Sequence, residues 1–346
     1  MRALQQQKYN PNKLIQAKNI LLIRTDRIGE LVLTTPAIVA IRKHFPSARI
    51  TVVADPSSAE AIEGAPFVDS IVNFDSKKDY TGFLGRLSFF RLIKRSRFDL
   101  AIVFNPSKFF NILTFLAGIP IRVGYDRKWG FLLTHKIQDK KYLCEKHEVQ
   151  YNLDLIKKIG IKPSDKILFF STDSSVGDRI NDILKENDVQ EGAKLIAVHP
   201  ATSNPEKRWP SERFAQICDR LLEEFKVRII LVGGEEEKKT VDGVKSKMHN
   251  PVLDLTGALS IKELGSLLKR CLFLISNDSG PVHISTALGT PAIVFFGEDR
   301  PGGSSRRWGP YGEGHLVIGK PKIIDITVEE AYKAIRERVG KLCGKR

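Results

Sequence analysis

The chain has 346 residues, of which 42% are hydrophobic, and its 55 Lys and Arg against 40 Asp and Glu give a net charge of +15. This length favours two domains with a core each, and the composition excludes a disordered chain and a small disulfide scaffold. Up to Ser175 there are 28 basic and 16 acidic residues, so +12 of the charge lies in the first half. A basic half indicates an anionic partner, which can be nucleic acid, a lipid surface or a phosphorylated substrate.

The cysteines and apolar segments bear on the compartment. Cys144, Cys218, Cys271 and Cys343 are far apart and form no C-x-x-C pair, which predicts reduced thiols rather than a zinc or redox site. Residues 1–19 are polar, which predicts no signal peptide. No uncharged apolar run approaches the roughly 20 residues that span a bilayer. We therefore expect a soluble cytoplasmic protein whose membrane contact is peripheral.

Strands and helices alternate through the first half of the chain. An apolar strand at 20–23, a helix at 30–44 that ends before Pro46, and a strand at 49–54 form a βαβ unit. Its short connections indicate parallel strands with a right-handed crossover. The later predicted segments are strands 70–74, 99–104 and 121–124 and helices 81–97, 108–117 and 148–159.

The alternation pauses at a polar stretch, 171–192, and then restarts. Strands are predicted at 194–199, 228–232, 271–276 and 291–296, and helices at 211–224, 236–248, 260–269, 281–288 and 327–339. We predict an α/β protein with two doubly wound, Rossmann-like domains facing a cleft. The boundaries are a first domain 1–175, a linker region 176–193, a second domain 194–326 and a last helix 327–346. Ligands bind beyond the carboxyl ends of such strands, so the post-strand loops are the candidate sites.

The loop after the first strand, residues 24–30, ends in Gly29 and Glu30. Gly29 permits a close backbone approach, and Glu30 opens the next helix. The Glu30 carboxylate either acts on a substrate in the cleft or merely stabilises the first helical turn, an effect worth about 0.3–1 kcal/mol.

The loop at 199–210 offers Thr202 and Ser203 and then Lys207, a set that suits a phosphate. The alternative is a turn before a helix with Trp209 in the core, and both interpretations can hold together. Three acids, Glu235 to Glu237, follow two glycines after another strand. They either accept hydrogen bonds from ribose hydroxyls or form a solvated helix start.

The loop at 277–283 follows the predicted strand 271–276 and contains Asp278, Ser279 and Gly280. Pro281 fits the first position of a helix, so the backbone N–H groups of its first turn would face an anion in the cleft. His283 lies inside the helix and is as well explained by structure as by function. The chain has no G-x-G-x-x-G, P-loop or D-x-D element. Cationic side chains and helix N–H groups would therefore have to stabilise a leaving diphosphate.

Together these segments resemble the heptosyltransferases of bacterial lipopolysaccharide core synthesis, glycosyltransferase family 9. The resemblance covers nearly the whole chain in order, on segments 24–36, 202–210 (ending K-R-W-P) and 277–291 (with D-S-G-x-x-H), and more weakly on 121–125 and 147–155. It implies a GT-B fold: an N-terminal acceptor domain, a C-terminal nucleotide-sugar domain and a last helix that returns toward the first. It also implies inverting, metal-independent transfer of heptose from ADP-heptose to a lipopolysaccharide inner-core acceptor, without a cofactor.

The resemblance also implies roles for individual residues. The catalytic residues would be Glu30, as general base, and Lys207. The donor-binding residues would be Thr202, Ser203, Lys207, Glu236 (with the register uncertain by one residue), Asp278, Ser279 and Gly280. The family usually has Asp in place of Glu30, with Asp26 as the fallback base, and many members read Pro-Gly-Ala where this chain reads His199-Pro200-Ala201.

An anionic glycolipid, lipid A with its inner-core sugars, is the implied acceptor, at the inner face of the inner membrane. Its predicted contacts are Asp26, Arg122, Arg127 and Lys128. The helix at 81–97 interleaves cations with aromatic residues and either meets the glycolipid or membrane, or packs a leucine face (Leu84, Leu87 and Leu92) on the core. Two other functions stay open: a GT-B enzyme for another nucleotide sugar, and a silent glycan-binding module. Nucleic acid is disfavoured because the sequence lacks its binding signatures.

Overall fold

Two six-stranded sheets, one in each half of the chain, form the framework of the protein. The computed structural model describes residues 17–75, 78, 80–163, 166–299 and 302–343, so most of the polar stretch 1–19 and the end of the last predicted helix lie outside it. The first sheet contains β1 (Asn19–Arg24), β2 (Arg49–Ala54), β3 (Ser70–Asn73), β4 (Leu100–Val103), β5 (Ile121–Tyr125) and β6 (His135–Ile137). The second contains β7 (Leu195–His199), β8 (Arg228–Leu231), β9 (Leu253–Asp254), β10 (Cys271–Asn277), β11 (Ala292–Gly297) and β12 (Leu316–Lys320).

Both sheets are parallel and have the same strand order. The first runs β3-β2-β1-β4-β5-β6, and the second, β12-β11-β10-β7-β8-β9, repeats this order when counted from β7. Leu22 of β1 lies between Val52 of β2 and Ile102 of β4. The order reverses between β1 and β4 and between β7 and β10, the points where doubly wound sheets bind ligands. The prediction of two Rossmann-like domains is confirmed.

Helices fill the connections between the strands. In the first domain they are α1 (Ile28–Val32), α2 (Thr35–His44), α3 (Pro56–Ala59), α4 (Gly82–Arg95), α5 (Lys108–Leu116) and α6 (Glu148–Lys157). In the second they are α7 (Ser174–Glu186), α8 (Ser211–Glu224), α9 (Lys238–Lys245), α10 (Ile261–Arg270), α11 (Gly280–Ala287), α12 (Ser305–Trp308) and α13 (Val328–Cys343). No helix within the described ranges is long and apolar enough to cross a membrane.

The first predicted helix, 30–44, is two helices, α1 and α2. Pro36 explains the break, because it has no N–H to donate to the carbonyl of Val32. The Thr35 hydroxyl donates to that carbonyl instead, at 2.7 Å. The short helix α1 therefore forms a unit separate from α2.

Sequence analysis missed β6, β9 and β12, each of which forms an edge of its sheet. Their residues are half-buried or exposed. They therefore lack the continuous apolar run that identifies a central parallel strand. Both sheets are wider than the apolar pattern indicated.

The polar stretch 171–192 indicates a linker followed by a short helix, and the structure has a helix there, α7. This helix occupies most of the predicted linker region, 176–193. Ile180 and Leu184 of this helix are buried, and the helix packs on α10. The Arg270 guanidinium of α10 donates to the carbonyl of Gly177, at 3.1 Å. The polar composition reflects the outer face of a helix that belongs to the second domain.

The last helix, α13, packs in the second domain over its described residues, 328–343. In this part of the predicted segment 327–346, the expected return toward the first domain is not seen. Ala331, Ile335 and Val339 are spaced to form one stripe, and all three are buried in the core of the second domain. Tyr332 donates from its hydroxyl to Glu224 of α8, at 2.6 Å. Because α8 covers the apolar stripe, the helix stays with its own sheet.

Helix α4 corresponds to the basic helix predicted over 81–97. Phe89 and Ile93 provide its buried contacts, whereas Leu84 is 78% exposed and Phe83 is 79% exposed. The interpretation of a leucine face packed on the core is therefore wrong. The start of α4 instead presents apolar side chains to solvent, on the same helix as several cations.

Candidate active site

Two cavities open between the carboxyl ends of the two sheets. The first has a volume of about 450 Å³ and is lined mainly by loops of the C-terminal domain. The second has a volume of about 420 Å³ and is lined mainly by the N-terminal domain. Of the residues that the structure describes, Glu30, Gly302 and Trp308 line both cavities. A group that moves from one cavity to the other must pass these three residues.

Glu30 lies in the first turn of α1, at the junction of the cavities. Burial raises the pKa of its carboxyl above the ordinary value; the Arg24 guanidinium opposes this rise, and the Asp26 carboxylate adds to it. A carboxylate with a raised pKa accepts a proton more readily than an exposed glutamate does. The predicted base therefore lies between the two cavities, in an environment that favours proton uptake.

The predicted phosphate-binding residues converge on one wall of the first cavity. The Lys207 ammonium forms an ion pair with Asp278, and Thr202 Oγ1 donates to the Asp278 carbonyl, at 3.2 Å. Ser203 lies on the same wall. Asn277 joins the two loops, since its side-chain amide makes hydrogen bonds of 2.7 and 3.0 Å with the backbone of the loop that carries Lys207.

Helix α11 begins at Gly280, next to this ion pair. Ser279 is the N-cap residue, but its hydroxyl bonds to His199 Nδ1 at 3.1 Å and to Ser276 Oγ at 2.9 Å. No described side chain caps the first turn. The N–H groups of that turn therefore face the cavity together with the positive end of the helix dipole, an arrangement that binds anions.

Two glycines allow the starts of α1 and α11 to touch. A Cβ on Gly29 would lie 2.6 Å from His283 Cδ2, and a Cβ on Gly280 would lie 2.8 Å from Ile28 Cγ2. Any larger residue at either position would force the two helices apart. This contact sets the separation between Glu30 and the phosphate-binding wall.

Glu236 lines the first cavity as predicted, and so does its neighbour Glu237. Glu237 Oε2 accepts from Gly234 N–H and from His199 Nε2–H, both at 2.9 Å. Burial opposes ionisation of Glu237, but these hydrogen bonds outweigh it and hold the pKa of the carboxyl below its ordinary value. With Nε2 donating, His199 Nδ1 accepts from Ser279, so one imidazole joins the acidic loop to the start of α11.

The second cavity contains a buried carboxylate shared by three cations. Glu148 Oε1 lies 2.6 Å from Lys141 Nζ and 3.4 Å from Arg24 Nη2, and Glu148 Oε2 lies 2.9 Å from Arg307 Nε. Burial opposes ionisation of Glu148, but the three cations lower its pKa to about 2. Two further carboxylates of the same lining, Asp26 and Asp139, pair with Arg24 and Arg127, so the charges around this cavity are largely balanced.

The structure separates the four predicted acceptor contacts. Asp26 and Arg127 line the second cavity, but the described residues that line the two cavities do not include Arg122 or Lys128. Arg122 Nε donates to the carbonyl of Leu132, at 2.9 Å, because its half-buried guanidinium needs local acceptors. The assignment of Arg122 and Lys128 to an acceptor stays a prediction. Within the described ranges, no group of three or more His, Cys, Asp or Glu side chains could hold a metal ion.

A sequence profile decides the family. The profile of glycosyltransferase family 9 (heptosyltransferase) matches residues 86–330, more than half of the chain. The chain belongs to glycosyltransferase family 9. The resemblance drawn from the sequence motifs is confirmed.

Individual family 9 relatives are distant but cover most of this chain. A Haemophilus influenzae protein provisionally named a glycosyltransferase is 27% identical over 308 residues, which are 85% of this chain and 86% of the relative. The crystal structure of a family 9 glycosyltransferase from Veillonella parvula is 22% identical, with a TM-score of 0.81 over 94% of this chain and 97% of that one. ADP-heptose lipopolysaccharide heptosyltransferase II of Escherichia coli is 18% identical, with a TM-score of 0.76 over 93% and 99%. These structures confirm the GT-B fold.

Several residues of the family 9 site were missed in the sequence. Arg307 and Glu148 are 159 positions apart, so no local spacing connects them. Trp308 follows a polar, Gly-rich stretch that contains no strand or helix signal. Glu237 was within the stated register uncertainty of Glu236. Only the role of Glu237 as an anchor for His199 required the structure.

His283 supplies a prediction about stability. Burial, followed by the positive charges of His147 and Lys207, lowers its pKa to about 3, whereas an unfolded histidine titrates near 6.5. Between these pH values the unfolded state therefore binds more protons than the folded state does. Lowering the pH stabilises the unfolded state and reduces the free energy of unfolding. From pH 7 to pH 5, we expect the unfolding free energy of the wild type to fall by about 2 kcal/mol more than that of His283→Gln.

Urea unfolding at both pH values measures this difference. The control is His44→Gln, because His44 is exposed, and this variant should keep the wild-type pH dependence. An equal loss of stability in the wild type and in His283→Gln would contradict the prediction.

Proposed function

We propose that this protein is an inverting, metal-independent glycosyltransferase that moves heptose from ADP-heptose to a lipopolysaccharide inner-core acceptor. One observation carries the proposal: Glu30 is the ionisable residue, among those described, that lines both cavities. A base at this junction reaches an acceptor hydroxyl in one cavity and faces a donor in the other. The runner-up is the same reaction with another nucleotide sugar, because the fold does not determine the donor.

The first cavity has the groups that a nucleotide sugar requires. The acids at Glu236 and Glu237 can accept hydrogen bonds from ribose hydroxyls. Lys207, the hydroxyls of Thr202 and Ser203, and the N–H groups at the start of α11 would stabilise the diphosphate. Because cationic and N–H groups already lie at this wall, we propose that the leaving ADP needs no divalent ion.

The reaction we propose is a single displacement. The acceptor oxygen attacks the anomeric carbon, Glu30 takes the hydroxyl proton, and the bond from the anomeric carbon to the diphosphate oxygen breaks. Attack from the face opposite the leaving group inverts the anomeric centre. Glu30 is longer by one methylene than the Asp usual in the family, and its side chain lines both cavities.

The second cavity suits an anionic acceptor. Lys141 and Arg307 contact Glu148, and Arg24 contacts both Glu148 and Asp26. We propose that these cations also bind an acidic group of the acceptor. Arg127 lies on the same lining. We propose an inner-core glycolipid as the acceptor, reached from the cytoplasmic face of the inner membrane.

A donor screen tests this function. We expect release of ADP from ADP-heptose to require a core glycolipid acceptor and to continue in excess EDTA. UDP- and GDP-sugars, assayed in parallel, should react far more slowly. Faster turnover of one of these would establish the runner-up, and a requirement for a divalent ion would refute metal independence.

Replacement of the proposed base gives a second test. Glu30→Gln should lower kcat by about 10²- to 10⁴-fold, because the amide cannot take the proton, while ADP binding stays intact. Glu145→Gln is the matched control and should retain wild-type activity, because Glu145 is exposed and lines neither cavity. An active Glu30→Gln with an inactive Asp26→Asn would transfer the base role to Asp26.

The pH dependence gives an independent check on Glu30. Since the pKa of Glu30 is raised, activity should fall as the pH drops through a value above that of an ordinary glutamate, near 4.3. The profile of kcat/KM reports this pKa for the free enzyme. An acid limb at or below the ordinary glutamate value would contradict the assignment.

Helix α4, with exposed apolar residues at its start and exposed cations toward its end, gives a prediction about membranes. The triple change of Arg91, Lys94 and Arg95 to Ser should weaken binding to vesicles that contain phosphatidylglycerol by up to about 100-fold, because each cation near an anionic surface is worth about 1 kcal/mol. The control variant replaces Lys226, Lys239 and Lys269 with Ser, because these lysines are exposed on the second domain. Vesicle cosedimentation measures both. Equal binding by the two triple variants would refute contact through α4.

A further inference from the structure

A segment of the C-terminal domain, residues 302–311, forms hydrogen bonds and an ion pair with the start of helix α6 in the other domain. Arg307 Nε and Nη2 each lie 2.9 Å from Glu148 Oε2. His147, the N-cap of α6, donates from Nε2 to the carbonyl of Gly309 at 2.9 Å. These contacts join the domains directly beside the two cavities.

Trp308 is the aromatic residue of this segment that lines the cavities. It lines both cavities together with Glu30 and Gly302. Its indole Nε1 donates to the Gly302 carbonyl at 2.9 Å, so its polar atom is already satisfied. The half-buried ring thus offers the cavities an apolar surface.

Arg307 fixes the position of this ring. Its guanidinium lies 4.4 Å from the Trp308 ring centroid, and Nη1 donates to the carbonyl of Lys141 at 3.2 Å. Two of its partners, Glu148 and Lys141, belong to the N-terminal domain, and Glu148 is fully buried. The position of the guanidinium against the ring therefore depends on contacts between the two domains, while the hydrogen bond to Gly302 holds the indole within its own segment.

We propose that Trp308 is a specificity-determining residue that packs against the transferred sugar, and that Arg307 is a positioning residue that holds the ring through Glu148. This inference rests on the proposed glycosyl transfer. A sugar ring has apolar C–H faces, and an aromatic ring beside the anomeric carbon would orient it and exclude water. Water at this place would hydrolyse the donor, so the ring favours transfer over hydrolysis.

Trp308→Ala should lower kcat for transfer by about 10- to 100-fold, since misplacement of a reacting group has costs of this size. The share of donor lost to hydrolysis should rise, while the Kd for ADP stays within about twofold of the wild type, because the phosphate wall is intact. Trp308→Phe should retain more transfer than Trp308→Ala. The control is Trp129→Ala, since Trp129 is 45% exposed and lies on the other domain.

Arg307→Met should lower the ratio of transfer to hydrolysis, as Trp308→Ala does. Arg306→Met is the matched control, because Arg306 is exposed on the same short helix. Arg307→Lys should restore part of the ratio, since an ammonium can still pair with Glu148. A merely structural Arg307 would lower stability without changing the ratio.

A binding measurement separates this inference from the proposed function. Tryptophan emission should respond to ADP-heptose more than to ADP in the wild type and in Trp129→Phe, and this difference should vanish in Trp308→Phe. A wild type that transfers no sugar to any acceptor would refute the proposed function. The role of Trp308 would be refuted if the wild type transfers sugar and the Trp308 variants keep both its ratio of transfer to hydrolysis and its emission difference between ADP-heptose and ADP.

Discussion

Helices α1 and α11 meet at Gly29 and Gly280, and the geometry of the site depends on this contact. Because neither position has room for a Cβ, the two helix starts approach as closely as their backbones allow. One start carries Glu30, and the other lies beside the ion pair of Lys207 and Asp278. A displacement reaction needs its base and its leaving group at a constant separation, and a backbone contact maintains that separation better than flexible side chains do.

Charged side chains are paired in both cavities. In the first, Lys207 pairs with Asp278. In the second, three cations surround Glu148, and two further carboxylates, Asp26 and Asp139, pair with cations of the same lining. The net charge of +15 therefore comes mainly from residues outside these two linings. Pairing lets these side chains stay ionised where burial would otherwise oppose it.

The sequence predicted what local patterns encode. Continuous apolar runs identified the central strands, and the residues that follow them, such as Glu30 and Asp278, were correctly placed at the cleft. Edge strands lack such runs, so β6, β9 and β12 were missed. The apolar stripe of α13 indicated burial but not the neighbour that covers it. Arg122 was assigned to the acceptor site by its position after a strand, although its guanidinium bonds to nearby carbonyls.

Most strands and helices, the family and most of the loops that line the first cavity were determined by the sequence alone, because each depends on residues within a few positions of one another. The tertiary structure decided which loops meet. Only long-range packing placed Glu30 between the cavities, brought Arg307 to a carboxylate 159 positions away and set Trp308 on the lining of both cavities. Such contacts depend on how whole helices and strands pack together, and the pattern of residues within one segment does not specify this packing.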